Sequence, residues 1–442
     1  MFMLSPRSND LRQFERRPYP GTIDCAVSIP AANEIKTVTL KARTIDISDG
    51  GIGIQADYPL APGHTLWLRG IERETGIVKW HKKIDNSYRA GIQMTFPKEA
   101  VGLQGTASQV AFFVSEKRAR YGEVLDKATD RFIRELEAVE KKCDEGEDAG
   151  DILAVVKSET DKVLSVCGEF EIGIRDRDMI RQARIRFHEK TDPVLSKSYL
   201  IKRTRTWPQG YQGDYRTLEM IYVNTPRSSS LGYHLDLLGL TSPLAGAVRN
   251  RIKELAEILG KELSLRERLS VLNIACGSCR ELMGIAPEIL SSGARITCVD
   301  TDNDALAFAQ DRLSYAGIIE QVELRKYNAL RMFDEETNLM EFGLQDIIYS
   351  VGLFDYLPDD FLIKLLGALY NLLHPRGRLI AAFKDAERYR SQDYHWISDW
   401  DGFLQRTEKD FLRIMDKAGI PSSSLFITRE ETGIIVFYSV VK

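Results

Sequence analysis

The spacing of apolar positions changes character twice along the chain. Over residues 1–105, short runs rich in Val, Ile, Thr and aromatics fall at 38–47, 51–55, 64–68, 76–81 and 88–96. Turn clusters separate them: Asp49-Gly50-Gly51, Ala61-Pro62-Gly63 and Asp85-Asn86-Ser87. Short strands at regular spacing, each ended by residues that tolerate tight turns, predict a small β-barrel. Over 106–190 the period lengthens. Val110, Val114, Ala119, Val124, Leu125, Ala128, Phe132 and Leu136 recur at three- and four-residue steps among Glu, Lys and Arg, as on an amphipathic helix. Glu145-Gly-Glu-Asp-Ala-Gly-Asp151 interrupts the pattern and 152–166 resumes it, which predicts a helical hairpin. Over 191–442, apolar strands alternate with helical stretches, as in an α/β sheet. The expected architecture is multidomain, with a β-barrel, a helical middle segment and an α/β domain.

Within the last segment one stretch carries the clearest chemistry. Leu269-Ser-Val-Leu-Asn-Ile-Ala-Cys-Gly-Ser-Cys-Arg-Glu-Leu282 is answered by Arg295-Ile-Thr-Cys-Val-Asp300. The first part reads as a short apolar strand, 271–275, a tight turn at Cys276-Gly277-Ser278, and a helix through Glu281 and Leu282. The second reads as another apolar strand, ending in an acid about 20 residues after the turn. Glycine lets backbone approach a ligand, and the acid accepts hydrogen bonds from ribose hydroxyls, so the pair predicts a nucleotide site. Cys276-Gly-Ser-Cys279 is formally a CxxC. A redox or metal site would want a second pair or a thioredoxin-like context, and neither is visible. These residues read as small groups lining the turn, and no metal is expected.

Composition narrows the field. At 442 residues the chain is long for one core, and two or three domains are expected. A hydrophobic content of 43% and a charged content of 28% suit a soluble globular protein. The formal net charge of -4 gives no basic field, so nucleic acid is not an expected partner. No apolar run approaches the ~20 residues of a membrane span, and residues 1–10 lack an apolar stretch of signal-peptide length. Six scattered cysteines suit a reducing compartment, so the expected location is the cytoplasm.

In the first segment Asp46-Ile-Ser48-Asp-Gly50-Gly51 has the spacing D-x-S-x-x-G, followed by Ile52-Gly53-Ile54. Downstream stand Val78-Lys79-Trp80 and Tyr88-Arg-Ala-Gly-Ile-Gln-Met-Thr-Phe96. These residues resemble the PilZ family, whose domains are small barrels that bind cyclic di-GMP. The resemblance implies that Asp46 and Ser48 reach guanine edges and phosphates, with Gly50 and Gly51 in the turn. The family also carries R-x-x-x-R on the arm before the barrel, where guanidiniums stack on guanine and pair with phosphates. Two registers fit here. Arg12-Gln-Phe-Glu-Arg16 has the spacing, whereas Arg16-Arg17-Pro-Tyr-Pro-Gly21 has the family's approach to the first strand, with Gly21 where the second arginine would stand.

Further motifs accompany the nucleotide turn: Gly210-Tyr211-x-Gly-Asp214, Ala247-x-Arg-Asn-Arg251, Ala275-Cys-Gly-Ser278, Tyr349-Ser-Val-Gly-Leu-Phe-Asp-Tyr-Leu357, and Trp400 followed by Gln405-Arg-Thr-Glu408. With them the last segment resembles class I S-adenosylmethionine-dependent methyltransferases, which have a Rossmann-like fold. More narrowly it resembles the bacterial family that makes 3-hydroxypalmitate methyl ester. The resemblance implies that Asn273, Ala275, Cys276, Gly277, Ser278, Asp300, Thr301, Asn328, Ala329, Ser350 and Gly352 hold the cofactor. The order of elements fits. A third strand at 322–328 runs into Asn328 and Ala329, where family members place adenine contacts. A fourth at 345–350 delivers 351–356 toward the methyl group. A helix at 362–373 is stopped by His374-Pro-Arg-Gly377, a fifth strand follows at 378–383, and a late strand at 434–441 closes an antiparallel hairpin. The turn departs from the family pattern in two ways. Gly277 is its single glycine, and Asn273 stands where an acid is common, weakening an expected contact to the methionine end.

Methyl transfer from a sulfonium is an in-line displacement, so positioning is the main contribution asked of the protein. A carboxylate acceptor is already a nucleophile at about pH 7 and needs no base. An acceptor pocket is expected from Trp207, Tyr211, Tyr215, Asp355 and Tyr356, with Arg388 or Arg406 steering a carboxylate. Tyr211, Asp355, Tyr356 and His395 are the candidate catalytic residues. Asp355 reads equally as a structural hydrogen-bonding group. His395 is a base for a hydroxyl or amine acceptor, or else packs beside Trp396 and Trp400. Arg249 and Arg251 read as surface charge on a helix at 244–263. The expected function is a cyclic di-GMP-responsive methyltransferase acting on a small acyl or carboxyl substrate. The helical segment is a candidate homodimer surface or a conduit between sensor and enzyme. Two alternatives are a non-catalytic cyclic di-GMP effector whose methyltransferase fold binds a ligand or protein, and a methyltransferase whose PilZ domain serves only dimerisation.

Overall fold

Strict alternation builds the first of two units, Met1–Ala107. In β1 (Arg17–Ala31), Ile23, Cys25 and Val27 are buried while Thr22 and Asp24 are exposed. The inward face recurs in β2 (Glu34–Ser48), β3 (Gly51–Ala56), β4 (Thr65–Arg69), β5 (Thr75–Ile84) and β6 (Ser87–Met94). Ile52, Ile54, Leu66, Leu68, Ala90 and Ile92 complete one core. The strands pair antiparallel in the order β1-β2-β3-β6-β5-β4, and β4 pairs back onto β1, so the ring of hydrogen bonds closes. The structure, a computed structural model, describes residues 17–31, 34–48, 51–60, 65–69, 75–85, 87–94, 107–146 and 149–442. The hydrophobic pattern singles out no strand over 17–31 because Pro18, Pro20 and Pro30 punctuate it. The sheet accommodates Pro18 and Pro20 at the strand's start, where the register with β2 shifts.

The second unit, Ser108–Lys442, opens with helices. These are α1 (Ala107–Glu145), α2 (Ala149–Ile174) and α3 (Arg177–Leu195). Leu125, Phe132, Leu136 and Val139 cluster with Val156, Val163, Cys167, Phe170 and Phe187, as the three- and four-residue period requires. Trp396 completes this cluster from far down the chain. Fully buried, its ring stands edge-on 5.4 Å from Phe187 and 6.2 Å from Phe170, and its Nε1 donates to Glu171 at 2.9 Å. The helical segment therefore shares its core with residues of the last segment. Next come α4 (Tyr199–Thr206), α5 (Tyr215–Val223), α6 (Ser230–Leu240) and α7 (Pro243–Leu265).

The sheet follows. β7 (Ser270–Ile274) leads through α8 (Arg280–Met283) and α9 (Ala286–Ser292) to β8 (Arg295–Asp300), and α10 (Asn303–Tyr315) leads to β9 (Val322–Lys326). Beyond α11 (Glu335–Phe342) lie β10 (Gln345–Ser350), α12 (Asp359–Asn371), β11 (Leu373–Lys384), α13 (Glu408–Lys417), β12 (Leu425–Arg429) and β13 (Ile435–Val441). The order is β12-β13-β11-β10-β7-β8-β9, parallel from β11 to β9, with β13 and β12 as an antiparallel hairpin. Successive residues of β10 serve opposite faces: Ile347 and Tyr349 join one core, Ile348 the other. His374-Pro-Arg-Gly377 does not simply stop a helix. α12 ends at Asn371, and these residues form an irregularity inside β11, with Arg376 at φ 68. β12 is a strand that the periodicity does not announce. Among the described residues no helix is long and apolar enough to cross a membrane.

Trp396→Ala leaves a cavity between the early helices and the late chain, at a cost of about 3–5 kcal/mol. The expected readout is a lowered calorimetric melting temperature. An unchanged transition would show that other contacts hold these helices.

Candidate active site

β7 and β10 are neighbours, yet β7 leads to β8 on one side and β10 to β11 on the other. α/β sheets take ligands in the crevice outside the carboxyl ends of their strands at such a reversal. The turn after β7 places Ala275, Gly277 and Cys279 at φ 56, 53 and 48. Only Gly277 adopts this left-handed backbone without steric cost. Nothing lies within 4 Å of where a Cβ on Gly277 would stand, so this face of the turn has room for a ligand. Beside it, Asp300 accepts the Gly277 N–H at 2.8 Å and the Asp302 N–H at 3.0 Å. Burial pushes the Asp300 carboxyl above its usual range, against the pull of these amides. Thr301 is exposed next to it. Asn328 accepts the Leu330 N–H at 2.9 Å and Ala329 is buried, which orders the end of β9. Cys276 and Cys279 lie inward with Cys298 of β8. All three are free, buried thiols sharing hydrogen bonds, so they line the turn.

Asn273 does not leave the turn without an acid. Its amide donates to Glu281 Oε1 at 2.9 Å, and the Tyr349 hydroxyl donates to the same oxygen at 2.8 Å. Glu281 is 5% exposed and enters no ion pair among the described residues. Burial, with Cys279 adding to it, pushes its carboxyl up to about 7. The acid thus comes from α8 rather than from β7.

Arg251 corrects the surface-charge expectation. It lies on the buried stripe of α7 with Leu244, Val248, Leu255 and Leu259, and is itself 5% exposed. Its guanidinium donates to the Val351 carbonyl, just past β10, and to the Tyr222 hydroxyl at 3.0 Å. Its Nε has no partner, and it too enters no ion pair among the described residues. Arg249 is half-buried and donates to the Leu240 carbonyl at 2.9 Å. Gly352 stands beside Arg251, and the buried Ser350 Oγ has no partner among the described residues. From α5, Glu219 accepts Ser278 Oγ at 2.6 Å, Arg280 at 2.7 Å and Arg312 at 2.6 Å, clamping the turn to α10.

Beyond β10, Asp355 is buried against Lys384. It accepts the Lys384 N–H at 3.0 Å and pairs with its ammonium. Its hydrogen-bonding capacity is therefore used structurally. Burial lowers the Lys384 pKa, and its ammonium lies 4.8 Å from the Phe403 ring and 5.7 Å from that of Tyr356. The Tyr356 hydroxyl accepts Trp400 Nε1 at 2.7 Å, and burial pushes its phenol up. Tyr211 stands at β8 instead, donating to Asp302 at 2.7 Å. Its neighbour Gln212 donates to the Asp399 carbonyl at 2.8 Å, and so does Trp207 at 2.9 Å. This loop bridges the two sides of the crevice. Tyr215 is buried on α5, 5.4 Å from Phe308, and does not join Tyr356.

Two proposed charges are placed elsewhere. Arg406 is buried and bound to Asp359 at 2.8 Å and to the Phe354 and Leu357 carbonyls, so it does not steer an acceptor. Arg388 is exposed, 3.9 Å from Asp385. His395 lies on the π-helical turn Asp393–Ile397, where Arg184 of α3 donates to its Nδ1 at 3.0 Å. A guanidinium only donates, so that nitrogen is an acceptor, and the ring is packed rather than poised as a base. The sequence did hold a signal for Arg251, an arginine on an apolar stripe of three- and four-residue steps. Glu281 and Lys384 carried none.

In the first unit Arg12, Arg16 and Gly50 lie outside the described residues, as do the side chains of Arg17 and Ser48. Gly51 opens β3 opposite Ser48. Asp46 lies across from Gly53, where a Cβ would come within 2.5 Å of its Oδ1. Arg89 of β6 reaches Asp46 at 3.3 Å, a neighbour that spacing alone did not suggest.

Residues 272–379 match the family described as a methyltransferase domain, and residues 10–100 match the PilZ domain. The chain carries these two domains. A protein of Haemophilus influenzae described as uncharacterized is 27% identical over 110 residues, 25% of this chain and 40% of that protein. The chain thus spans about two fifths of the length of the curated relative it matches. Among solved structures, a possible exported protein from Bordetella parapertussis is 16% identical, covering 72% of this chain and 96% of that one, with a TM-score of 0.44. An O-methyltransferase family protein from Burkholderia thailandensis is 15% identical over 45% of this chain and 59% of that one, TM-score 0.36. Magnesium protoporphyrin IX methyltransferase from Synechocystis PCC 6803, with bound SAH, is 14% identical over 45% and 85%, TM-score 0.35.

Glu281 has a raised pKa in the fold, so its contribution to stability is full below its ordinary value of 4.5 and is lost as pH rises through about 7. The loss is about 3 kcal/mol. Glu281→Gln removes it. The variant's melting temperature should fall less between pH 5 and pH 8 than that of the parent. Parallel pH profiles would show that Glu281 ionises freely.

Proposed function

We propose that this chain is an S-adenosylmethionine-dependent methyltransferase whose PilZ domain binds cyclic di-GMP. The observation that carries the first part is the Gly277–Asp300 pair at the reversal of a parallel sheet, with open space before Gly277. These residues fit an adenosyl group. Asp300 keeps lone pairs for ribose hydroxyls, the turn admits a ligand to its backbone, and Asn328 and Ala329 stand at the end of the next strand. When bound, the cofactor supplies an electrophilic methyl group. The chain's own residues position the acceptor and shield it from water.

The acceptor is a small acyl carboxylic acid. Tyr356, Trp400 and Phe403 form an aromatic wall suited to an acyl chain. A carboxylate needs no base, in keeping with the engagement of Asp355 by Lys384 and of His395 by Arg184. The single glycine of the turn and Asn273 motivate the non-catalytic reading, and the bond from Asn273 to Glu281 speaks against the second of these motives. All six cysteines are free, which suits the cytoplasm. For cyclic di-GMP, Asp46 of β2 and Arg89 of β6, on either side of β3, add an acceptor and a cation to the arm's arginines.

Calorimetry with S-adenosylhomocysteine should give binding that Asp300→Ala weakens about tenfold or more, the loss expected for hydrogen bonds to a charged group. No heat with the parent protein would sink the enzyme reading. Titration with cyclic di-GMP should give binding that Arg16→Ala and Asp46→Ala each weaken. Binding unchanged in both would place the dinucleotide elsewhere.

A further inference from the structure

We propose that Cys276 and Cys279 form a reversible disulfide on exposure to a hydroperoxide, and that this cross-link loosens the chain's hold on its cofactor. The second half rests on the cofactor reading above. The CxxC has no second pair in the sequence, but the fold brings a third thiol to it. Cys298 of β8 stands beside the turn, since its neighbour Val299 accepts the Cys276 N–H at 3.0 Å. The three thiols share hydrogen bonds with one another. The other cysteines lie on separate elements, Cys25 on β1, Cys143 on α1 and Cys167 on α2.

Backbone geometry puts the first two within bonding reach. The Cys279 N–H donates to the Cys276 carbonyl at 3.1 Å, closing a single reverse turn over Gly277 and Ser278. Such a turn holds its end Cα atoms within about 7 Å, and a disulfide spans about 4.4–6.8 Å. Cys279 holds a left-handed φ of 48. Glycine would fill that position without strain, so packing alone does not account for a sulfur there. Among the described residues no group of three or more His, Cys, Asp or Glu is placed to hold a metal ion, which leaves the thiols to one another.

Hydrogen bonds from Cys276 and Cys298 pull the Cys279 thiol below its usual range, against burial, and Arg312 adds to the pull. Cys279 is fully buried, whereas Cys276 is 8% exposed and adjoins the open face of Gly277. Passing the shared proton to Cys279 makes Cys276 the attacking thiolate. Its sulfur takes one peroxide oxygen, the O–O bond breaks, and the other oxygen leaves as water or alcohol. The Cys279 sulfur then displaces the sulfenic oxygen, which leaves as water. The two departing oxygens carry off the two thiol protons, and one hydroperoxide is reduced. A thiol reductant reverses the cross-link. A sulfur–sulfur bond of about 2.05 Å is far shorter than the contact between hydrogen-bonded thiols, so it draws residues 276–279 inward. Gly277 then moves relative to Asp300, which accepts its N–H at 2.8 Å.

The test treats the full chain with hydrogen peroxide and maps its peptides by mass spectrometry without reduction. A link between Cys276 and Cys279 is expected, two hydrogens lighter than the dithiol and reversed by dithiothreitol. Cys298→Ser should still form it. In Cys279→Ser a sulfenic acid should persist at Cys276, where dimedone traps it. Cys276→Ser should give neither product, and trapping at Cys279 would overturn the order of attack. Absence of the link, or a link to Cys298 in its place, overturns the proposal. Should a variant not fold, the parent's peptide map still decides. By calorimetry, S-adenosylhomocysteine should bind the oxidised chain about tenfold more weakly than the reduced one, the loss expected for a hydrogen bond to a charged group. Dithiothreitol should restore the affinity. Equal affinity of the two forms overturns the effect on the cofactor. A reduced chain that binds no S-adenosylhomocysteine overturns the cofactor reading instead, while the peptide map still decides the disulfide.

Discussion

Between β7 and β10 the sheet changes the side to which its chain proceeds, and the site and its supports are built around that reversal. The strands stay hydrogen-bonded, but the loops leaving their carboxyl ends diverge. The helical first half of the unit reaches into that gap. α5 sends Glu219 to Ser278, Arg280 and Arg312, while α7 sends Arg251 to Val351. The turn is thus braced from outside the sheet, which lets three left-handed residues in five persist. The brace has its own support, since Trp396 packs the early helices onto the chain that follows β11.

Charge is distributed around the crevice with a clear asymmetry. On the β11 side, Lys384 and Asp355 neutralise each other beneath the Tyr356 and Phe403 rings. On the β8 side, Asp300 is stabilised by two backbone amides, the strongest neutral donors a turn offers. Between them, among the described residues, Glu281 and Arg251 are hydrogen-bonded by neutral groups only. Moving the acid from strand to helix changes which element carries the charge, and Asn273 becomes its donor.

The first unit follows the same rule of placing chemistry on pairing geometry. Asp46 and Arg89 are 43 positions apart, yet β3 between their strands carries glycine at 53, where any side chain would meet the Asp46 carboxylate. Gly53 makes the contact possible as much as the two charges do. Trp80 likewise lies over Gly91 on the adjacent strand, where a Cβ would overlap its ring.

Local patterns made β7, β8 and β10 legible almost residue for residue, because a buried parallel strand must be continuously apolar and must end where a turn or an acid begins. The helical period and its break after Glu145 were legible for the same reason. So were Gly277 and Asp300, whose separation is set by one crossover. β1 and β12 were not. Prolines mask the first, and β12 is a mostly exposed edge strand, which needs no strong apolar signature. Arg251, Glu281, Lys384 and Arg406 divide the two levels most sharply. The sequence determined that an arginine sits on an apolar stripe and that a glutamate follows the turn. Only the tertiary structure decided that Arg406 is spent on Asp359, while Arg251 and Glu281 meet no ion-pair partner among the described residues. A side chain's helical or strand position is a local property, whereas its counter-charge comes from whichever distant element the fold packs against it.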